Sequence, residues 1–113
     1  MANPYLAQLT ELLEALDLET SVFAGLECRH FFSGAAVYTS GTICASLSPV
    51  GFALKLPPST CDALFETGRA GPLQYFRAGK VKKGYAVLSS KLAADHDAVR
   101  VLFLEAVQHA ATT

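Results

Sequence analysis

The chain has 113 residues, of which 51% are hydrophobic and 17% are charged, and this composition predicts one globular domain over residues 1–113. Its formal net charge of −1 at pH 7 argues against generic nucleic-acid binding and against attachment to acidic membranes, and no stretch approaches the ~20 apolar residues that span a bilayer. The three cysteines are odd in number and form no C-x-x-C pair, and the first residues lack the basic start of a secretory signal, so we expect a cytoplasmic protein.

The first predicted element is an amphipathic helix that begins at Asn3-Pro4. Asn accepts a hydrogen bond from an unpaired amide at a helix start, and Pro suits the first helical position. Leucines follow at helical spacing, at Leu6, Leu9, Leu13 and Leu16. We expect this leucine face to pack on a sheet or, as the alternative, on a partner subunit.

Residues 30–56 are almost free of charge, rich in β-branched and aromatic residues, and broken by turn signals. Such a segment predicts buried strands. The first strand is predicted over residues 29–38, with a bulge or a close backbone approach at Ser33-Gly34.

Two short turns divide the rest of this segment. Residues 39–42 predict a hairpin turn in which Gly41 has a positive φ, and residues 48–51 predict a second turn. The strands at 43–47 and 52–56 then complete a three-stranded antiparallel meander.

Pro57-Pro58 ends the meander, because proline cannot donate to a β-ladder. Ser59 is the predicted cap of a short helix, with Asp62 as its capping-box partner, and Gly68 is the predicted stop. Two further strands are expected at 73–77 and 84–88.

The last predicted helix runs from about residue 95 to about residue 110. Its main apolar stripe contains Val99, Leu102, Phe103, Ala106 and Ala110. Val101 and Leu104 widen the apolar surface beyond what a helix with one buried side requires, so they are candidate interface residues.

These elements give the order α-β-β-β-α-β-β-α. We therefore predict an α+β fold with a mainly antiparallel sheet and helices packed on it.

Charge is distributed unevenly along the chain. Residues 1–28 contain five acidic residues and no cation, whereas six of the nine cations and no acidic residue lie in 68–94. Either the two segments solvate opposite surfaces, or they dock on each other within the monomer or across a dimer, or the basic segment binds an anion.

Several short motifs resemble the N-terminal domain of TfoX-like proteins. They are Phe31-Phe32-Ser33-Gly34, Val37-Tyr38, Ser40-Gly41, Leu54-Lys55-Leu56, Pro72-Leu73-Gln74-Tyr75, Gly79-Lys80 and Gly84-Tyr85. The resemblance covers about residues 28–110. It implies an α+β fold akin to that of secretion chaperones and a link to competence regulation in bacteria.

The candidate catalytic and metal-binding residues form no convincing set. Gly79-Lys80 lacks the first Gly and the Ser or Thr of a phosphate loop, because Gln74 and Val81 stand in those places. No two histidines lie at the i, i+3 or i, i+4 spacing of a metal pair. Cys28 and His30 lack a third group that would orient them as nucleophile and base. We expect no catalytic residue, no bound metal and no cofactor.

Two functional hypotheses remain open. The first is a non-catalytic regulatory or adaptor module that acts through protein contacts, as a homodimer with an unidentified protein partner. The second is a nucleic-acid-associated transcriptional regulator, because cations and aromatic residues alternate in residues 75–85 as they do in single-strand binders. Its candidate phosphate contacts are Arg77, Lys80, Lys82 and Lys83.

Overall fold

The computed structural model describes residues 4–31, 34–74 and 81–112. In chain order, these residues form helix α1 (Pro4–Ala15), helix α2 (Thr20–Ala24), strands β1 (Leu26–Phe31), β2 (Gly34–Thr39), β3 (Thr42–Ser48) and β4 (Gly51–Lys55), helix α3 (Pro58–Glu66), strands β5 (Ala70–Leu73) and β6 (Lys82–Leu88), and helices α4 (Ser90–Ala93) and α5 (His96–Ala111).

The six strands form one antiparallel sheet in the order β1-β2-β3-β4-β6-β5. Helices α1 and α5 pack on one face of this sheet, and α3 packs near β5 and β6. The predicted α+β class, with helices packed on an antiparallel sheet, is therefore confirmed. None of the described helices has the length and apolar character needed to cross a bilayer.

The single strand predicted over residues 29–38 is wrong in its topology. The chain forms two strands there, and β1 pairs antiparallel with β2 from Leu26↔Thr39 to Phe31↔Gly34. The close backbone approach predicted at Gly34 is confirmed, since an added Cβ there would overlap the Leu47 carbonyl oxygen of β3. Ser33 lies outside the described residues.

Both predicted turns of the meander are confirmed. Ser40 and Gly41 connect β2 to β3 with φ values of 51° and 82°, the left-handed pair that matches the twist of a two-residue hairpin. The second turn ends at Gly51, whose φ is 124°. In that turn the Val50 amide donates a hydrogen bond to the Ser48 hydroxyl at 3.3 Å.

The start of α3 differs from the prediction. Its N-cap is Pro57, with Pro58 in the first turn and no side-chain cap, so Ser59 and Asp62 form no capping box. Pro58 suits the first turn because its φ is preset for a helix and because amides there have no helical hydrogen-bond partner to lose. Gly68 confirms the predicted stop, with a φ of 72° just after α3.

Strand β5 lies earlier in the chain than predicted. It covers Ala70–Leu73 and includes Pro72, which an edge strand tolerates because its amide side faces away from the ladder. The predicted strand at 73–77 is therefore wrong at its start, and residues 75–77 lie outside the described part of the chain. The short helices α2 and α4 were not expected, whereas α5 begins and ends close to its predicted limits.

The main core lies between the sheet and helices α1 and α5. Leu9, Leu13 and Leu16 are at most 2% exposed and belong to the same buried cluster as Val37 and Phe103. The leucine face of the first helix therefore packs on the sheet, as one of the two alternatives predicted. A smaller cluster of Ala53, Leu73 and Tyr85 is separate from this core.

Candidate interaction surfaces

The widened apolar surface of α5 borders a groove with the segment between α1 and α2. Val101 is 66% exposed, the highest value among the exposed large apolar side chains of the described residues. Leu104 is partly buried and lines a cavity of about 340 Å³. The cavity, here called the α2–α5 groove, is lined by Asp17, Leu18, Glu19, Val22, Arg100, Leu104, Val107 and Gln108.

A left-handed residue shapes one wall of this groove. Asp17 has a φ of 54° and follows the end of α1, a conformation that Asp tolerates better than most residues. The reversal ends the helix and is followed by α2 at residue 20. Leu18 and Val22 then line the groove together with Leu104 and Val107.

Arg100 fixes the spacing between the groove walls. Its Nε donates a hydrogen bond of 2.6 Å to the Leu16 carbonyl oxygen at the end of α1. Its Nη2 lies 2.9 Å from an oxygen of Asp97, one turn earlier on α5. Because Asp97 balances the charge of Arg100, the exposed carboxylates of Asp17 and Glu19 give the groove rim an acidic character.

The predicted basic residues divide into two pairs. Arg77 and Lys80 lie outside the described residues, so their placement stays a prediction. Lys82 and Lys83 lie exposed at the start of β6. Lys55 of β4 joins them, because strands β4 and β6 pair with Lys55 opposite Tyr85.

Tyr85 is the centre of this lysine group. The Lys82 Nζ lies 5.8 Å from the centroid of the Tyr85 ring, and the Lys55 Nζ lies 6.0 Å from it, within cation–π range. Tyr85 itself is only 8% exposed, so its ring offers little surface for stacking on a nucleic-acid base. The lysines can supply positive charge to a phosphate, but the aromatic platform of a single-strand binder does not form at Tyr85.

A second charged group lies on β1, an edge strand of the sheet. The Arg29 Nη2 lies 2.6 Å and 2.8 Å from the two carboxylate oxygens of Glu27 on the same strand. The Arg29 guanidinium also lies 5.3 Å from the centroid of the Tyr38 ring. The hydrogen bond from Arg29 lowers the pKa of the Glu27 carboxyl, so this pair stays ionised at neutral pH.

The two charged segments of the sequence do not dock on each other within the described residues. In residues 4–31, 34–74 and 81–112, both ion pairs are local, one within β1 and one within α5. The acidic side chains of α1 and the lysines of β6 are exposed to solvent instead.

The cysteines have the properties of packed thiols. Burial raises the pKa of Cys44 to about 12, and burial also raises the pKa of Cys61. Burial raises the pKa of Cys28 as well, although a hydrogen bond with Thr10 opposes the shift. A thiol with a raised pKa carries little thiolate at neutral pH, which makes it a poor nucleophile.

A further cavity of about 420 Å³ lies between α3 and α4. Two of its polar side chains cap helices, because the Ser89 hydroxyl accepts from the Leu92 amide and the Asp95 carboxylate accepts from the Ala98 amide. Its other polar residues include Arg69 and Lys91. Across the described segments, no three His, Cys, Asp or Glu residues are grouped so as to hold a metal ion.

Sequence patterns identified Val101 and Leu104 but missed most of the groove. Leu18 and Val22 are far from Leu104 in sequence, and no sequence pattern singled out Arg100. The apolar residues Leu16 and Leu18, on either side of Asp17, were the available signal. Lys55 was missed as a neighbour of Lys82 because only the pairing of β4 with β6 brings them together.

The α+β class of the fold is the class that the family resemblance of the sequence motifs implies. Residues 19–110, most of the chain, match the TfoX N-terminal domain family. No curated protein sequence matches the chain. Because the family match covers all six strands of the sheet, helices α2 to α4 and all but the last residue of α5, the chain belongs to the TfoX N-terminal domain family.

Proposed function

We propose that this protein is a non-catalytic regulatory or adaptor module of the TfoX type, which acts in the cytoplasm through protein contacts and functions as a homodimer. The observation that carries the proposal is the α2–α5 groove with the exposed Val101 beside it. Membership of a family of regulatory domains supports the same reading, and three free cysteines are consistent with a reducing compartment.

The groove has the form of a site for an amphipathic helix. Its floor is apolar, with Leu18, Val22, Leu104 and Val107, and its rim carries Asp17 and Glu19. Fully burying a valine side chain stabilises a complex by about 1.5–3 kcal/mol, so covering Val101 would contribute substantially to affinity. An acidic rim favours a partner segment with basic residues beside its apolar face.

The substitution Val101→Asp is expected to weaken binding of the protein partner at least about tenfold, or about 1.4 kcal/mol. It places a charge on the exposed apolar surface beside the groove, where a bound partner would have to desolvate it. The partner would be isolated from the source cell on the native chain, purified, and its affinity for each variant measured by isothermal titration calorimetry.

Val50→Asp is the matched control, because Val50 is also exposed, at 37%, but lies in the turn between β3 and β4. Both variants should melt within a few degrees of the native chain, since surface substitutions typically change stability by about 0.5 kcal/mol or less. Equal affinity of the native chain and Val101→Asp for every purified partner would refute the groove as the binding site.

The second candidate function, transcriptional regulation through nucleic-acid binding, is favoured by the lysine group at Lys55, Lys82 and Lys83. Phosphate contacts by lysines make affinity fall steeply with salt. The predicted contacts Arg77 and Lys80 belong to the same hypothesis.

A fluorescence-anisotropy titration at ~50 mM salt, with duplex and single-stranded DNA, decides between the two functions. If the protein acts through protein contacts, both titrations stay flat. If the lysine group binds nucleic acid, binding appears, weakens with added salt, and is lost in the double variant Lys82→Ser, Lys83→Ser. Lys91→Ser, which removes an exposed lysine of α4, should then leave most of the affinity intact.

A further inference from the structure

We propose that strand β1 is the self-association site of this protein, pairing antiparallel with β1 of a second copy around a two-fold axis at Cys28. This inference rests on the homodimer of the proposed function and assigns its interface. It joins two six-stranded sheets into one continuous sheet and uses no residue that lines the α2–α5 groove.

The two edges of the sheet differ in how open they are to pairing. The β5 edge has four residues, contains Pro72, and is irregular between Pro72 and Leu73. These features block the addition of another strand. The β1 edge has six residues, has no proline, and keeps a regular register with β2 along its whole length. Of the two edge strands in the described part of the chain, β1 therefore has the form that can accept a partner strand.

The backbone direction of β1 follows from its register. Thr39 and Thr42 flank the two-residue turn and pair with each other. The amide and carbonyl of Thr39 therefore point towards β3. Leu26, opposite Thr39, is therefore at a position that does not exchange hydrogen bonds with β2. Because this pattern alternates along a strand, Leu26, Cys28 and His30 direct their backbone amides and carbonyls to the outer side of the edge.

The charges of β1 are complementary to those of a second copy in one register. With Cys28 opposite the partner's Cys28, Glu27 lies opposite the partner's Arg29, and Arg29 lies opposite the partner's Glu27. Both side chains are well exposed, at 53% for Glu27 and 61% for Arg29. The interface would contain two cross-strand pairs of opposite charge, an arrangement that stabilises neighbouring strands.

Neighbouring registers are disfavoured by the same residues. A shift that keeps the outward backbone groups facing each other moves the two-fold axis to Glu27 or to Arg29. The first shift sets two glutamates opposite each other, and the second sets two arginines opposite each other. Like charges directly opposite destabilise a strand pair, so the sequence of β1 selects the axis at Cys28.

Arg29 is already held in place for this role. Its guanidinium is bonded to both oxygens of Glu27 and lies against the Tyr38 ring of β2. Two exposed charges that are ordered in the monomer lose less conformational freedom when the second copy binds. In the dimer, the four charges alternate in sign across the two strands.

Charge reversal tests the proposal through the dimer dissociation constant, measured by sedimentation equilibrium. Glu27→Arg and Arg29→Glu each set like charges opposite each other at both symmetric pairs, and each is expected to weaken the dimer about tenfold or more. The double variant Glu27→Arg, Arg29→Glu restores both cross-strand pairs and should return to within about threefold of the native constant. The control is Glu66→Arg, the same charge change on the exposed end of α3, which should leave the constant unchanged.

Proline at His30 provides a second test that does not depend on charge. The His30 amide faces away from β2, so the change His30→Pro removes no hydrogen bond of the monomer. The variant should retain the native circular-dichroism spectrum and melting temperature but sediment as a monomer. Hydrogen exchange at the Cys28 amide should be slow in the native dimer and fast in this variant.

The outcomes separate this inference from the proposed function. A chain that stays monomeric at every concentration overturns the β1 interface and the homodimer, and it leaves partner binding at the groove to its own test. A dimer that is unchanged by both charge reversals and by His30→Pro overturns the β1 interface alone. If Val101→Asp also dissociates that dimer, the α5 surface is the dimer interface.

Discussion

Replacing Phe103 by alanine is expected to lower the free energy of unfolding by about 3–5 kcal/mol, the usual cost of removing a buried aromatic ring. Phe103 lies on the inner side of α5, is fully buried, and belongs to the main cluster between the helices and the sheet. Domains of this kind are stable by about 5–15 kcal/mol in total. The variant would therefore lose a large share of the stability of the native fold.

Urea denaturation followed by circular dichroism measures this loss. Val101→Ala is the control on the same helix, because Val101 is 66% exposed and its truncation should change the free energy of unfolding by about 0.5 kcal/mol or less. A Phe103→Ala variant as stable as Val101→Ala would contradict the packing of α5 on the sheet.

Replacing Gly34 by alanine is expected to lower the free energy of unfolding by about 3 kcal/mol or more, at or above the upper end of the range for overpacked sites. A Cβ at this position would overlap the Leu47 carbonyl oxygen and lie 2.9 Å from both Cα and Cβ of Ser48. The obstructing atoms belong mainly to the β3 backbone. They cannot move aside without disturbing the pairing of β2 with β3.

Gly71→Ala is the matched control, since Gly71 is also a strand glycine but an added Cβ there meets no atom within 4 Å. Its expected effect is neutral or slightly stabilising, because alanine restricts the unfolded chain. Equal stability of the two variants, measured by thermal unfolding, would mean that β2 does not approach β3 at Gly34 as described.

Local chemistry explains which elements could be predicted from sequence. Gly41, Gly51 and Gly68 mark chain reversals with positive φ, and Asp95 caps α5 by accepting a hydrogen bond from the Ala98 amide. Each of these signals depends on a residue and its near neighbours in the chain. For this reason the turns and the limits of the last helix were predicted correctly.

Elements whose position depends on distant partners were predicted less well. A strand was predicted to begin at Leu73, yet the pairing with β6 begins at Ala70, in a segment that contains Gly71 and Pro72. Strand propensity is weak compared with the pairing and burial that the rest of the sheet imposes. Phe31 and Gly34 likewise belong to two strands because β2 must return along β1.

The candidate surfaces divide in the same way. The sequence by itself determined the α+β class, the family motifs and the surplus apolar residues Val101 and Leu104, because periodicity and turn chemistry are local. Only the tertiary structure decided that Leu18 and Val22 complete a groove beside α5, that Lys55 lies near Lys82, and that β1 is an open edge. Those neighbours are set by strand order and helix packing, which depend on contacts between residues far apart in the chain.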